Sequence, residues 1–216
     1  MQRTRQKSSR NSTGRPTREQ ALQRQEELLN QALHTFLERG FDQATIDEIA
    51  SAVGMSKRTV YARYQDKASL FRAAVRRAIE DYTVPREALE QVTSADLEQT
   101  LIAVATIRIA NLMLPNSIRL QRILSAQSYR FPELFYAAFE EGAGPTVAFL
   151  CDLFERHAVA GEIELENPRF MAAAFLSLAA GGPARIIVSG IEMREAEIEA
   201  HVRLAVRLFL NGLRRR

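Results

Sequence analysis

The sequence predicts an all-α protein, and three observations carry that prediction. Apolar residues recur at three- and four-residue spacings along almost the whole chain, which is the period of a helix. Helix punctuation is dense: Thr45 with Glu48, Ser56, Asp66, Pro132 and the pair Asn167 and Pro168 stand at helix starts, while Gly40, Gly54 and Gly161 stand at stops. Hydrophobic residues make up 46% of the 216, enough to bury a sizeable core, so global disorder is excluded.

The first helix is expected over residues 18–39. Leu22, Leu28, Leu29, Ala32, Leu33, Phe36 and Leu37 lie largely on one face, and Gly40 ends the helix so that Phe41 can fold back on Phe36. Thr45 and Glu48 form a capping-box pair that opens a short second helix. Gly54 takes the positive φ of a tight turn, Ser56 caps a third helix expected to reach Tyr64, and Asp66 caps a fourth running to about Tyr82.

Ala50, Gly54, Ser56 and Val60 have the spacing of a helix-turn-helix. A small residue lets two helices approach, glycine makes the turn, and an inward branched residue locks the second helix. With Val60 and Tyr64 inward, Lys57, Arg58, Thr59, Tyr61 and Arg63 are left outward. That set suits a major groove, because Arg and Lys read guanine acceptors while Thr, Tyr and backbone amides hold phosphates. Charge agrees with this reading. Residues 1–80 hold 15 Lys plus Arg against 9 Asp plus Glu, a balance of +6, and the remainder holds 14 against 17, a balance of −3. Residues 1–16 read as a flexible basic arm, in which Arg15 is nearest the folded part and best placed to enter a minor groove.

The strings T-I-D-E-I-A, V-G-M-S-K-R-T-V-Y and D-K-A-S-L-F, within a stretch from Thr17 to Ile79, resemble the TetR family of bacterial transcriptional regulators. The resemblance implies that Thr45 and Tyr61 contact phosphates, that Lys57, Arg58, Thr59 and Arg63 face bases or phosphates, and that Lys67 grips a phosphate at the start of the fourth helix. Ala62 and Tyr64 depart from the family pattern, which has an aromatic and a Phe at these places. The implied organisation is a helix-turn-helix domain at residues 17–64, a connecting helix at 65–82, and a ligand-binding and dimerisation domain at 83–216.

Beyond Pro85, helices are expected from Ser94 or Asp96 to Met113, from Ile118 to about Arg130, from Pro132 with a pause near Gly142 to Pro145, and on to Gly161. The segment from Phe170 to Val188 is apolar on nearly every face except at Arg185, so it must be buried all round. A last helix from Glu195 to about Leu213 carries Ile198, Val202, Ala205, Phe209 and Leu213 on one stripe. These two helices, about 168–188 and 195–213, are the expected homodimer interface, which also suits two-fold operators. The string RLQRILSAQSYRFPELFYAAFEEGAGP is similar to the multidrug-regulator branch of the family and implies an inducer cavity. Met113, Tyr129, Phe135, Phe139, Phe149 and Phe175 are its expected walls.

Other classes fit less well. His34, His157 and His201 are scattered, there is no HExxH motif or Cys-rich metal spacing, and Gly142 with Gly144 is not a phosphate loop, so no catalytic residue, metal or cofactor is expected. A helical dimer that binds a ligand or a protein without reading DNA is the alternative. The single Cys151 excludes an internal disulfide framework, the apolar runs near Phe170 to Ala180 are expected to fall short of a membrane span, and the N-terminus lacks the apolar core of a secretory signal. The sequence therefore predicts a cytoplasmic homodimeric repressor, with double-stranded operator DNA and a small-molecule inducer as partners.

Overall fold

The computed structural model describes residues 17–213, among which twelve α-helices and one π-helical turn are found and no strand. Helix α1 (Arg18–Gln43) starts at a full capping box, in which Gln20 N donates to Thr17 Oγ1 at 3.2 Å and Thr17 N donates to Gln20 Oε1 at 3.0 Å. Its helical path is interrupted at Gly40, whose φ of 75° needs no Cβ, and the chain reverses there so that Phe41 stacks 6.0 Å from Phe36. Helices α2 (Ile46–Ala52), α3 (Lys57–Tyr61) and α4 (Lys67–Asp81) follow. Helix α3 stops at Tyr61, short of the expected Tyr64, because Asp66 opens α4 only five residues on. Tyr64 nevertheless packs half-buried against the core.

The remaining elements are α5 (Arg86–Gln91), α6 (Leu97–Leu112), α7 (Pro115–Ala126), α8 (Pro132–Glu140), α9 (Gly144–Val159), α10 (Pro168–Leu176), the π turn (Ser177–Gly181), α11 (Gly182–Val188) and α12 (Glu195–Leu213). Helix α5 was not anticipated. Pro85 looks like an interruption, yet in its extended conformation it is the residue from which α5 departs. Pro115 similarly opens α7, and α6 and α7 meet at 79°.

Two hydrophobic cores result. The first joins α1–α4 to α7 and α8, with Leu120, Ile123, Leu124, Phe131, Leu134 and Ala137 packed on the N-terminal helices. At its centre Phe71 lies 5.0 Å from Phe36 and 5.1 Å from both Phe41 and Phe131, measured between ring centroids. The second core joins α6 and α9 to the C-terminal helices around Phe149, Phe154 and Phe175.

The C-terminal pair differs from expectation in two ways. The apolar stretch, expected to fall short of a membrane span, runs on through Gly181, Gly182 and Pro183, because a π turn absorbs the register change that Pro183, lacking an N–H, imposes on the turn before it. Pro168–Val188 is consequently one helical stretch long and apolar enough, by length and composition, to cross a membrane, although here it packs against α9 and α12. Within one chain, Ala172, Phe175 and Ala179 face the core, while Phe170, Leu178 and Ile186 are exposed. Finally, the stripe assigned to a partner faces inward. Val202 and Ala205 are buried, Ile198 and Leu213 pack on the same core, and Phe209 lies 5.6 Å from Phe154 and 5.2 Å from Phe175. The outward apolar residues of α12 are Leu204 and Leu208.

The Phe71 cluster provides a direct test of the shared first core. Phe131→Ala removes a ring that is 3% exposed and touches both halves. It should lower unfolding stability in urea by about 3 to 5 kcal/mol, whereas a peripheral ring would cost far less.

Candidate nucleic-acid interface and ligand cavity

Helix α3 is held by its buried side and its cap. Val60 and Ala50 are buried against each other's helices, Gly54 turns at φ 62°, and Met55 N donates to Ala50 O at 2.9 Å to close the turn. Thr59 N donates to Ser56 Oγ at 3.1 Å, and the two hydroxyls are 2.8 Å apart. Lys57, Arg58, Thr59, Tyr61 and Arg63 are all exposed on this element, as is Thr45 at the start of α2. The Thr45 hydroxyl accepts from Glu48 N at 3.2 Å. The reciprocal half of the expected capping box is absent, because the Glu48 carboxylate pairs instead with Arg39 at 2.9 Å.

The cations on this surface are not equivalent. Lys57 Nζ donates to Asp47 Oδ2 at 2.8 Å and lies 6.0 Å from the Tyr61 ring, and the hydrogen bond to Asp47, followed by its charge, raises the Lys57 pKa. Arg58 and Arg63 form no ion pair among the described residues. Lys67 is turned to the protein itself. Its ammonium donates to Asp42 O and Ala44 O, both at 3.0 Å, and sits 4.7 Å over the Phe41 ring, so it ties the end of α1 to the start of α4. Arg15 lies outside the described residues.

A cavity of about 540 Å³ opens among α6–α11. Phe135 and Phe139 line it as expected, together with Leu112, Val147, Ala173, Leu176 and Ala184. The other four expected wall residues do not. Phe149 and Phe175 are fully buried in the second core, Tyr129 stands entirely in solvent after the end of α7, and Met113 lines a separate groove of about 390 Å³ with Ile118 and Met193. Their aromatic and thioether character suited a pocket and a core equally, and only the helix directions separate the two. Sequence reasoning missed the polar lining, Arg108, Gln121, Ser125, Ser177 and Arg185. A signal was present, since Arg108 is the lone charge in the apolar string L-I-A-V-A-T-I-R-I-A-N-L-M-L.

Among the described residues no group of three or more His, Cys, Asp or Glu could hold a metal ion. Cys151 is half-buried, and its thiol pKa is raised first by burial and then by the nearby Glu155 and Asp152 carboxylates, which favours the inert thiol.

Helix-turn-helix geometry on an all-helical scaffold defines a bacterial DNA-binding regulator, and comparison with known families agrees. Residues 28–74 match the model for bacterial regulatory proteins of the tetR family, and residues 99–212 match the model for the C-terminal domain of AefR-like transcriptional repressors. The chain belongs to the TetR family of transcriptional regulators and is not an enzyme. It is similar to the transcriptional repressor BepR of Brucella suis biovar 1 (strain 1330), with 36% identity over 64 residues. That match covers 30% of this chain and 31% of the relative, so the chain spans under a third of the curated relative's length. Among solved structures, a TetR-family regulator from Mesorhizobium loti MAFF303099 superposes with a TM-score of 0.76 and 26% identity, covering 93% of this chain and all of the other. The flavonoid-responsive regulator FrrA superposes with a TM-score of 0.69 and 28% identity, covering 90% of this chain and 98% of the other. Regulators of the family bind operator DNA and act as dimers.

The position of Lys67 yields a stability prediction independent of DNA. Lys67→Ala leaves two carbonyls without their charged donor and should cost about 1 to 3 kcal/mol in urea unfolding. Lys57→Ala, on the exposed surface, should leave the midpoint nearly unchanged. Equal effects of the two would mean that Lys67 does not tie α1 to α4.

Proposed function

We propose that this chain is a homodimeric repressor that binds operator DNA through α3 and is released by a small molecule bound in the cavity among α6–α11. The observation that carries the reading is the division of α3 into one buried anchor, Val60, and an exposed set of cations and hydroxyls. On this reading Arg58, Thr59, Arg63 and, once freed from Asp47, Lys57 face bases or phosphates in the major groove. Thr45 and Tyr61 hold phosphates, and Arg15 of the basic arm enters the adjacent minor groove. Lys67 contributes mainly by fixing the approach of α4 to α1, and any phosphate contact requires it to leave the carbonyls it now serves. Residues 17–64 are the reader, 65–82 the connecting helix and 83–216 the ligand-binding and dimerisation part. The work is cytoplasmic, where the chromosome is.

A second copy is the partner proposed for the exposed apolar side of α10–α12. Leu178, Ile186, Leu204 and Leu208 are exposed, and His201 Nε2 lies 3.0 Å from Leu178 O, which brings the two helical stretches side by side. Two such pairs packed together form a four-helix interface and set two reading helices for successive major grooves roughly 34 Å apart. Release follows if the ligand prefers a dimer in which that spacing is wrong, because only differential affinity shifts the population. The flavonoid-responsive relative supports a small, largely apolar inducer, and about 540 Å³ is the size of a drug-like pocket.

Two measurements test these assignments. In gel shifts with the neighbouring promoter, Arg58→Ala and Thr59→Ala should each weaken specific binding by about 1 to 3 kcal/mol with unchanged thermal unfolding. Wild-type affinity in both would remove α3 from the interface. In sedimentation, Leu204→Glu combined with Leu208→Glu should give folded monomers, whereas Phe209→Glu should unfold the protein because it charges the interior core. A stable dimer in the double variant would place the interface elsewhere.

A further inference from the structure

We propose that the ligand is an anion with an apolar body, its negative group held by Arg108 at the inner end of the cavity. This deepens, and rests on, the reading of that cavity as a ligand site. The large cavity and a smaller one of about 60 Å³ share Arg108, Leu112 and Gln121 in their walls, so they adjoin at the Arg108 side chain. The large part is apolar. The small part is polar, lined by Asn111, Ser117 and Gln121, and closed by Ile79 and Tyr82 at the end of α4.

Three features of the polar end call for a negative group. Arg108 rises from the apolar face of α6 into this space and forms no ion pair among the described residues. Its one hydrogen bond, from Nη1 to Gly142 O, is long at 3.3 Å. A guanidinium carries five N–H donors; Arg108 is partly exposed, and apart from the bond to Gly142 its donors have no protein acceptor among the described residues and are left to face the cavity. Burial also depresses the Arg108 pKa, with no neighbouring carboxylate to offset it. Beside it Ser117 Oγ is buried with no hydrogen-bond partner, in a residue only 5% exposed, and lines the same space. Lastly, neither part of the cavity has an Asp or Glu in its wall, while a second guanidinium, Arg185, stands at the outer part.

A carboxylate completes this arrangement. Its two oxygens accept from the Arg108 fork in bidentate fashion, one can also accept from the Ser117 hydroxyl, and the rest of the molecule lies against Leu112, Phe135, Phe139, Val147 and Leu176. A cationic ligand is repelled by both guanidiniums, and a neutral one leaves Arg108 unpaired. Because Ile79 and Tyr82 close the polar end, the negative group sits directly against α4, the helix that leads to the reader.

The test uses the full-length chain with saturated fatty acids and naphthoic acids, each compared with its neutral primary amide by calorimetry at neutral pH. The two series separate an aliphatic from an aromatic body. Wild-type protein should bind at least one acid about tenfold or more tighter than its amide. Arg108→Gln should erase that preference, weakening the acid far more than its amide, and Arg108→Lys should keep part of it. Amides that bind as well as acids, a preference that survives in Arg108→Gln, or failure of every acid to bind would each overturn the proposal. The comparison within wild-type protein decides even if the variants fail to fold. Release is read separately: an acid that binds through Arg108 but leaves the operator complex intact supports the anion site and overturns the ligand-released repressor.

Discussion

The packing of Phe131 from the start of α8 onto Phe41 and Phe71 is the interaction on which the rest of this structure depends. Phe41 reaches that position only because Gly40 reverses the chain at the end of α1, and Phe71 only because Asp66 starts α4 at the correct turn. Around the rings lie four ion pairs from the N-terminal helices to α7, α8 and their surroundings: Arg72 with Glu133, Arg76 with Glu141, Arg119 with Glu38 and Arg130 with Asp42. All are roughly half exposed, where such pairs are worth about 0 to 1 kcal/mol each, so they align the surfaces without holding them. Buried rings supply the stability, at several-fold more per residue.

That shared core changes how the two halves communicate. A reader joined only through α4 would respond to the cavity through a single lever. Here α7 and α8 are at once walls of the cavity, through Gln121, Ser125, Phe135 and Phe139, and parts of the first core, through Leu120, Leu124 and Leu134. A displacement at the cavity has two routes to α1 and α4, and close-packed interiors transmit such shifts rather than absorb them. The guanidinium of Arg108, on α6, lines the same small cavity as Ile79 and Tyr82 at the end of α4 and so puts a charged group at that junction.

Much of this was legible in the sequence wherever local chemistry decides. Thr45, Ser56, Asp66 and Asn167 cap helices through contacts three residues away, so sequence spacing alone revealed them. The outward face of α3 was equally legible, because one inward residue, Val60, leaves its neighbours on so short a helix exposed. What failed were assignments that need to know what an apolar face meets. Phe209 and Leu208 are adjacent and equally apolar, yet one fills the core beside Phe175 and the other faces outward, and the stripe containing Val202 was assigned to the wrong side. Phe149 and Phe175 were taken for cavity walls for the same reason. The π turn at Ser177–Gly181 and helix α5 are not legible locally, because a Pro's missing N–H can be accommodated by a shifted register or by a helix start as well as by a break.

The central claim is that reader and ligand-binding part are one cooperative unit through the Phe131 junction. Native-state hydrogen exchange tests it most directly, because it measures the free energy at which each segment opens. Amides of α1, α4 and α8 should share one opening free energy, equal to that of global unfolding and moving together as urea is added. A first core that opened at lower free energy across α1–α4, while α8 stayed protected, would contradict it.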